Sequence, residues 1–254
     1  MGRLKLPDTN RIIEEAINNI INKYNVRNLR ELLENKNFSD VINELEEEAF
    51  RRYSYYEKKA VEEYFKEKSF LGKALTTDLL NEIIDNSIIT SIANERRSRA
   101  GKTVERILIK LLNTLNITCE EANIKYQGYK PDIIIPNNKA FGNKKKPDLK
   151  KVFVLAVKRT LRERWSEDIH IFNFPNSAFV LIKPDPEFTP QKAKEMVIRG
   201  MKRMYVPDNL YNSYKNALND IMREHNVMFK PLSQLPNDLK DFLRQTSTKT
   251  LFLF

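Results

Sequence analysis

Asp132 and Lys158 are the two side chains whose types and placement point most directly to chemistry. Hydrolysis of a phosphodiester needs a carboxylate to hold a hard divalent cation, a second oxygen ligand, and a positive group near the attacking water or the scissile phosphate. Asp132 opens the apolar run Ile133-Ile134-Ile135, and Lys158 closes the run Val152 to Val157; both runs read as short buried strands. Adjacent strands would bring the two groups to one edge of a sheet. A plainer reading stands beside this one, with Asp132 a turn residue after Pro131 and Lys158 a solvated strand end. Pro-Asp recurs at Pro147-Asp148, Pro184-Asp185 and Pro207-Asp208, so the dipeptide alone carries little weight.

The usual nuclease pattern has an acidic residue two positions before the lysine, and here that position is Ala156. Glu105 is the natural replacement: it sits one turn into a predicted helix, Thr103 to Leu115, behind a basic segment. As an ordinary first-turn glutamate it would simply complement the helix dipole, an effect of about 1 kcal/mol at most. Four to six residues past Lys158 comes Arg162-Glu163-Arg164, followed by Trp165. Two arginines donate bidentately to guanine O6 and N7, and a carboxylate between them accepts from cytosine N4, a trio suited to adjacent G·C pairs in a major groove. Anywhere else the same string would read as a solvated charged turn.

Charge supports a polyanionic partner. The chain carries a formal net charge of +10, and residues 91–165 hold 18 Lys and Arg against 7 Asp and Glu while the remainder is nearly balanced. That concentration favours nucleic acid over a uniformly soluble surface. Arg96, Arg97, Arg99, Lys102 and Lys130 are the candidate DNA contacts. No basic amphipathic segment stands apart to suggest a membrane surface, and no run approaches the roughly 20 apolar residues of a span. With no secretory leader and a lone cysteine, Cys119, a cytoplasmic protein is expected. Cys119 reads as a small buried hydrophobe. His170 and His225 lack zinc-type partners, and no phosphate-cradling glycine loop is present, so neither zinc nor ATP is indicated.

The elements that must position these residues follow from periodicity. Ile12, Ile13, Ala16, Ile20 and Ile21 form one helical stripe, and Leu29, Leu32 and Leu33 begin another after a break at Asn25 to Arg27. A longer amphipathic stretch starts at Ser39, with Glu46 to Glu48 expected on a solvated face. Leu79 to Thr90 and Thr103 to Leu115 are expected as two helices parted at Ala100-Gly101. After Thr118 strands and helices alternate: the two strands above, a polar connection from Pro136 to Lys151, a strand over Ser177 to Ile182, a helix from Gln191 ended by Gly200, a strand at Met204 to Val206 and a helix from Leu210 to His225. This order predicts an α/β fold, a mixed β-sheet flanked by helices behind a helical N-terminal region, with 1–90 as that region and 91–254 as the core. Tyr53, Tyr55, Tyr56 and Tyr64, mixed with Arg51, Arg52 and Lys58, read first as helix packing and alternatively as a clamp or pocket for DNA.

Three segments carry a family resemblance: Ser98-Arg-Ala-Gly-Lys-Thr-Val-Glu105, Lys130-Pro-Asp132, and Ala156-Val-Lys158-Arg-Thr-Leu-Arg162-Glu-Arg-Trp165. In order and spacing they resemble the EcoRII, SsoII and PspGI group of type II restriction endonucleases, relatives of NgoMIV within the PD-(D/E)XK superfamily. The likeness is strongest over 94–170 and continues more weakly from Phe188 to Tyr211, about half the chain.

The resemblance implies a restriction-endonuclease-like core and Mg²⁺-dependent cleavage of double-stranded DNA. Asp132 and Glu105 would place the metal, Lys158 would assist at the attacking water, and Arg162, Glu163 and Arg164 would read the CC:GG part of a CCNGG- or CCWGG-like site. In that group the second acidic residue has likewise moved from the strand to the preceding helix. A homodimer, flipping of the central nucleotide and a cognate DNA methyltransferase are implied in the same way. One departure concerns the metal count: a further Glu is expected thirteen residues after the lysine, where this chain has Ile171, with Glu167 and Asp168 as the nearby acids. A repair or junction nuclease of the same superfamily, or a catalytically silent DNA-binding module, are the alternatives.

Overall fold

The computed structural model describes residues 6–70, 87–143, 146–161 and 163–251. The chain divides into two compact units, one made of Met1–Asn25 with Glu44–Thr103, the other of Val26–Asn43 with Val104–Phe254.

In the first unit, helix α1 (Thr9–Tyr24) starts where the Asp8 carboxylate accepts from Asn10 N–H at 2.9 Å and stops at Asn25, whose φ of 51° is left-handed. Its buried stripe is Ile12, Ile13, Ala16, Ile17 and Ile20. Helix α2 (Leu29–Asn35), in the second unit, is capped by Asn28, which accepts from Glu31 N–H at 3.0 Å. Helix α3 (Phe38–Phe70) continues the amphipathic stretch expected from Ser39. Polar side chains zip α1 to the part of α3 in its own unit. The Tyr24 hydroxyl donates to Glu44, and the Tyr56 hydroxyl donates to both Glu15 oxygens at 2.8 Å.

The solvated face expected at Glu46 to Glu48 is corrected here, since Glu46 and Glu48 are buried. Asn19 of α1 donates to Glu48, and Arg51 and Arg52, one turn on, lie 2.7 and 3.2 Å from its oxygens. A carboxylate tolerates such burial when cations and amide donors replace its water. The tyrosine cluster resolves toward packing at two positions. Tyr53 is buried beneath the Arg99 guanidinium, 5.3 Å from its ring centre, and Tyr56 is tied to Glu15. Tyr55 is exposed, and the Tyr64 side chain lies outside the described residues.

Helix α4 (Ser87–Thr114) runs through the break expected at Ala100-Gly101. A helical glycine costs only about 1 kcal/mol relative to alanine. The turns beyond it supply Val104, Ile107, Leu108, Leu111 and Leu112, all but sealed from solvent, so tertiary packing outweighs that local cost. The expected helix residues Leu79 to Asn86 lie outside the described residues.

The second unit is built on a six-stranded mixed sheet in the order β1-β2-β5-β6-β7-β8. Its strands are β1 (Glu120–Glu121), β2 (Ile133–Ile135), β5 (Phe153–Lys158), β6 (Ser177–Leu181), β7 (Arg203–Val206) and β8 (Met228–Pro231). The first three pair antiparallel, and β5 through β8 pair parallel. Helices α5 (Pro190–Ile198) and α6 (Asp208–His225), with a 3₁₀ segment over Glu163–Asn173, contribute to one buried cluster with Ile134, Val154, Ala156, Phe179 and Leu181. On the opposite face Phe153 meets Phe242 of helix α7 (Leu235–Leu251), ring centres 5.5 Å apart. Gly200 ends α5 as expected; its φ of 110° and the Ile169 methyl 3.2 Å from a would-be Cβ both favour glycine.

The polar connection after Pro136 contains a 3₁₀ turn, Asn138–Phe141, and a small hairpin of β3 (Gly142–Asn143) and β4 (Lys146–Pro147). Strand β8 and helix α7 have no counterpart in the expectation. Met228 to Pro231 is short and mixed in polarity, and its parallel pairing to β7 is a long-range property.

Cys119 is buried as expected, and burial pushes its thiol up to about 12. A raised thiol value keeps the unreactive protonated form across the neutral range. The native chain is therefore expected to resist iodoacetamide at pH 8 and to be alkylated at Cys119 once denatured, as read by intact mass; rapid native labelling would contradict this burial.

Candidate active site

Asp132 and Lys158 share a sheet edge because β2 begins where its antiparallel neighbour β5 ends. The pairing sets Ile133 opposite Leu155, so one further residue places Asp132 opposite Ala156, and Lys158 follows on the same face two residues later. Asp132 is pinned at three points. Its N–H donates to Leu155 O, its carbonyl accepts from Ala122 N–H, and its Oδ2 accepts from Val157 N–H at 2.7 Å. Desolvation pushes the Asp132 carboxyl up, and this outweighs the Val157 N–H and the positive charge of Lys158 that act to lower it.

Lys158 is the last residue of β5 and lies in register with Leu181 of β6. Its Nζ lies 2.8 Å from Asp168 Oδ2, an ion pair whose angle falls outside ordinary hydrogen-bond geometry. Burial opposes the charge on Lys158. The carboxylates of Asp168, then Asp132 and Glu105, outweigh it, and the ammonium is held above its usual value. Glu105 is half-buried next to Val104 on α4, and its influence on Lys158 places it in the same electrostatic neighbourhood.

Asp168 answers the question left by Ile171. Ile171 is fully buried in the core cluster, whereas Asp168, one 3₁₀ turn earlier, reaches Lys158, and Glu167 is exposed. The Tyr129 hydroxyl donates to Asp168 Oδ1 at 2.9 Å. Tyr129 closes a tight turn in which Gln127 and Gly128 both have positive φ, 47° and 83°. Sequence spacing alone favoured no acid near Ile171, because 3₁₀ winding changes which residue of the segment faces the sheet edge. The residue missed altogether is Tyr129; the turn signal of Gln127-Gly128 beside Asp132 was the trace available.

The root of the Arg162 segment is also fixed. Asp185, buried, accepts from Leu161 N–H at 2.6 Å and from Glu187 N–H at 2.9 Å. Arg162 and the side chains of Glu163, Arg164, Arg96 and Arg97 lie outside the described residues. Arg99 is half-buried over Tyr53 and donates to Pro7 O at 3.3 Å, while Lys102 and Lys130 are exposed. His170 is exposed.

Among the described residues no group of three or more acidic, His or Cys side chains encloses a metal. The acids at the sheet edge nevertheless fit a hard cation. Asp132 is a desolvated carboxylate that Lys158 does not fully compensate, and an all-oxygen donor set with few protein ligands suits Mg²⁺, which keeps several of its waters. Asp132 and Glu105 are the side chains that could hold it.

The family profile described as EcoRII C terminal matches residues 53–232. The chain belongs to this family of restriction endonucleases. Among solved structures, "Restriction endonuclease PspGI-substrate DNA complex" is 30% identical, with a TM-score of 0.70 over 94% of both chains. "Metal-depleted Ecl18kI in complex with uncleaved, modified DNA" and "Metal-depleted Ecl18kI in complex with uncleaved DNA" are 15% and 16% identical. Each has a TM-score of 0.66 and spans 94% of this chain and 80% of its own, a likeness of fold. No curated protein matches the chain. The endonuclease has the restriction-endonuclease-like mixed sheet that the sequence predicts, behind its N-terminal helices. None of its described helices is long and apolar enough to cross a membrane.

If the shared sheet edge is the reactive centre, Asp132→Asn and Lys158→Ala will each abolish cleavage and leave DNA binding in gel shift nearly intact. Full cleavage by both variants would place the chemistry elsewhere.

Proposed function

We propose that this endonuclease cuts both strands of double-stranded DNA at a short palindromic or pseudopalindromic site containing CC/GG, of the CCNGG or CCWGG type, as a type II site-specific deoxyribonuclease. The observation that carries the reading is the edge where Asp132, Lys158 and the field of Glu105 converge. The PspGI structure, a complex with substrate DNA by its own description, adds support through a 30% identity that spans nearly the whole chain.

In this reading Asp132 and Glu105 hold Mg²⁺, which when bound acidifies a water and offsets charge on the phosphate. Lys158, kept cationic by the carboxylates around it, faces the attacking water and the phosphate oxygens. Water attacks phosphorus, the 3′ oxygen leaves, and a 5′-phosphate end results.

Arg162, Glu163 and Arg164 read G·C pairs, and Arg96, Arg97, Arg99, Lys102 and Lys130 supply backbone contacts. Residues 91–254 form the nuclease core, with 1–90 a helical region for clamping DNA or dimerising. A two-fold site calls for a homodimer, one reactive centre per strand. Flipping of the central nucleotide, a partner methyltransferase protecting the same site, and a cytoplasmic location complete the reading.

Digestion of a plasmid of known sequence with Mg²⁺, with the ends mapped, tests this: a fixed fragment pattern with 5′-phosphates at CC/GG-containing sites is expected. Cutting only of branched substrates would point to a junction nuclease, and binding without cutting to a silent module. Arg164→Ala is expected to lose roughly 1–3 kcal/mol of discrimination at one base pair, measured by competition against single-pair variants of the site. An even loss across all sequences would assign Arg164 to the phosphate backbone instead.

A further inference from the structure

We propose that Asp168, anchored by Tyr129, is a positioning residue for Lys158 and not a metal ligand. The inference rests on the reading above, in which Lys158 serves phosphodiester hydrolysis.

Both oxygens of Asp168 are committed within the protein. Oδ1 accepts from the Tyr129 hydroxyl at 2.9 Å, and Oδ2 faces the Lys158 ammonium at 2.8 Å. A carboxylate that ligates a cation must offer it an oxygen, and repelling cations already stand where that oxygen points. Asp132 differs in this respect, since its Oδ2 is held by a backbone N–H and it faces the lysine through space.

The backbone of Asp168 is equally fixed. The 3₁₀ segment that carries it is sewn into the core by Trp165, Ile171 and Phe172, and Trp165 is flanked by Lys192 and Arg199, 5.2 and 5.5 Å from its ring centre. Tyr129 belongs to the turn that leads directly to Asp132. The Tyr129–Asp168 contact therefore ties together the two segments that flank the sheet edge, and the ion pair sets the end of a long, otherwise mobile side chain. Burial, together with the charges of Asp168 and Asp132, drives the Tyr129 phenol strongly upward, so it remains a donor at every working pH.

The test compares Asp168→Asn, Asp168→Glu and Tyr129→Phe with the wild-type chain in single-turnover cleavage at varied Mg²⁺, in DNA binding without Mg²⁺, and in reductive methylation of Lys158 in the metal-free protein. Loss of an outer partner of this kind typically costs 10–100-fold. Asp168→Asn is expected to lower the saturating rate by about that factor, with the half-saturating Mg²⁺ and DNA affinity unchanged, and to speed methylation of Lys158. Asp168→Glu should restore part of the rate, and Tyr129→Phe, which removes a hydroxyl alone, should move rate and methylation in the same direction by a smaller factor. Should Asp168→Asn fail to fold, Tyr129→Phe decides by itself. A rise in half-saturating Mg²⁺ for Asp168→Asn with Tyr129→Phe silent would make Asp168 a ligand and overturn the proposal. Wild-type rates and unchanged methylation in all variants would overturn it too. A wild-type chain that cuts no DNA under any condition would instead overturn the underlying reading.

Discussion

Antiparallel pairing of β2 with β5 is the constraint on which the site depends, because it brings the start of one strand to the end of the other. Ile133 opposite Leu155 leaves Asp132 and Lys158 at a common edge, and a slip by one residue would turn every side chain of β2 to the other face. The register is held by burial on both faces: Ile133, Ile134 and Ile135 are sealed from solvent, as are Phe153 to Ala156. The ladder extends into the site through Asp132 itself, whose N–H, carbonyl and carboxylate all bond to neighbouring backbone. Parallel pairing of β5 with β6 then carries the apolar layer on, and the carbonyl of Lys158 accepts from Ile182 N–H.

That arrangement accounts for the relocation of an acid away from Ala156. The register places this position directly opposite Asp132, fully enclosed in the core cluster. A second carboxylate there would stand beside an already desolvated one, and like charges at such range disfavour ionisation of both. With alanine at 156, negative charge reaches Lys158 from three other directions: Asp168 on the 3₁₀ segment, Asp132 before β2 and Glu105 on α4. One ammonium among three carboxylates leaves a local excess of negative charge, the electrostatic setting in which a divalent cation is bound with least desolvation penalty.

Much of this was legible in the sequence because strands announce themselves locally. The isoleucine run after Asp132 and the apolar run before Lys158 were sufficient to propose a shared edge, and the basic stretch between Asn94 and Lys102 led correctly to a helix bearing Glu105. The α5 and α6 helices lie within two residues of their expected starts. What escaped depends on distant parts of the chain. Gly101 looked like a break, yet the stripe from Val104 to Leu112 holds the helix through it. Glu46 and Glu48 looked solvated until α1 covered that face. Asp168 and Tyr129 are 39 residues apart, and no local pattern links a turn tyrosine to an acid on a 3₁₀ segment.

The central claim is that the edge shared by Asp132 and Lys158 is where DNA is cut. A crystal structure of the endonuclease with a cognate duplex and Ca²⁺, which occupies oxygen sites while the strands stay intact, tests it most directly. The account predicts the scissile phosphate at that edge, with the cation on Asp132 and Glu105 and Lys158 Nζ within hydrogen-bond reach of a phosphate oxygen. A scissile phosphate seated on another surface, with the cation away from Asp132, would contradict it.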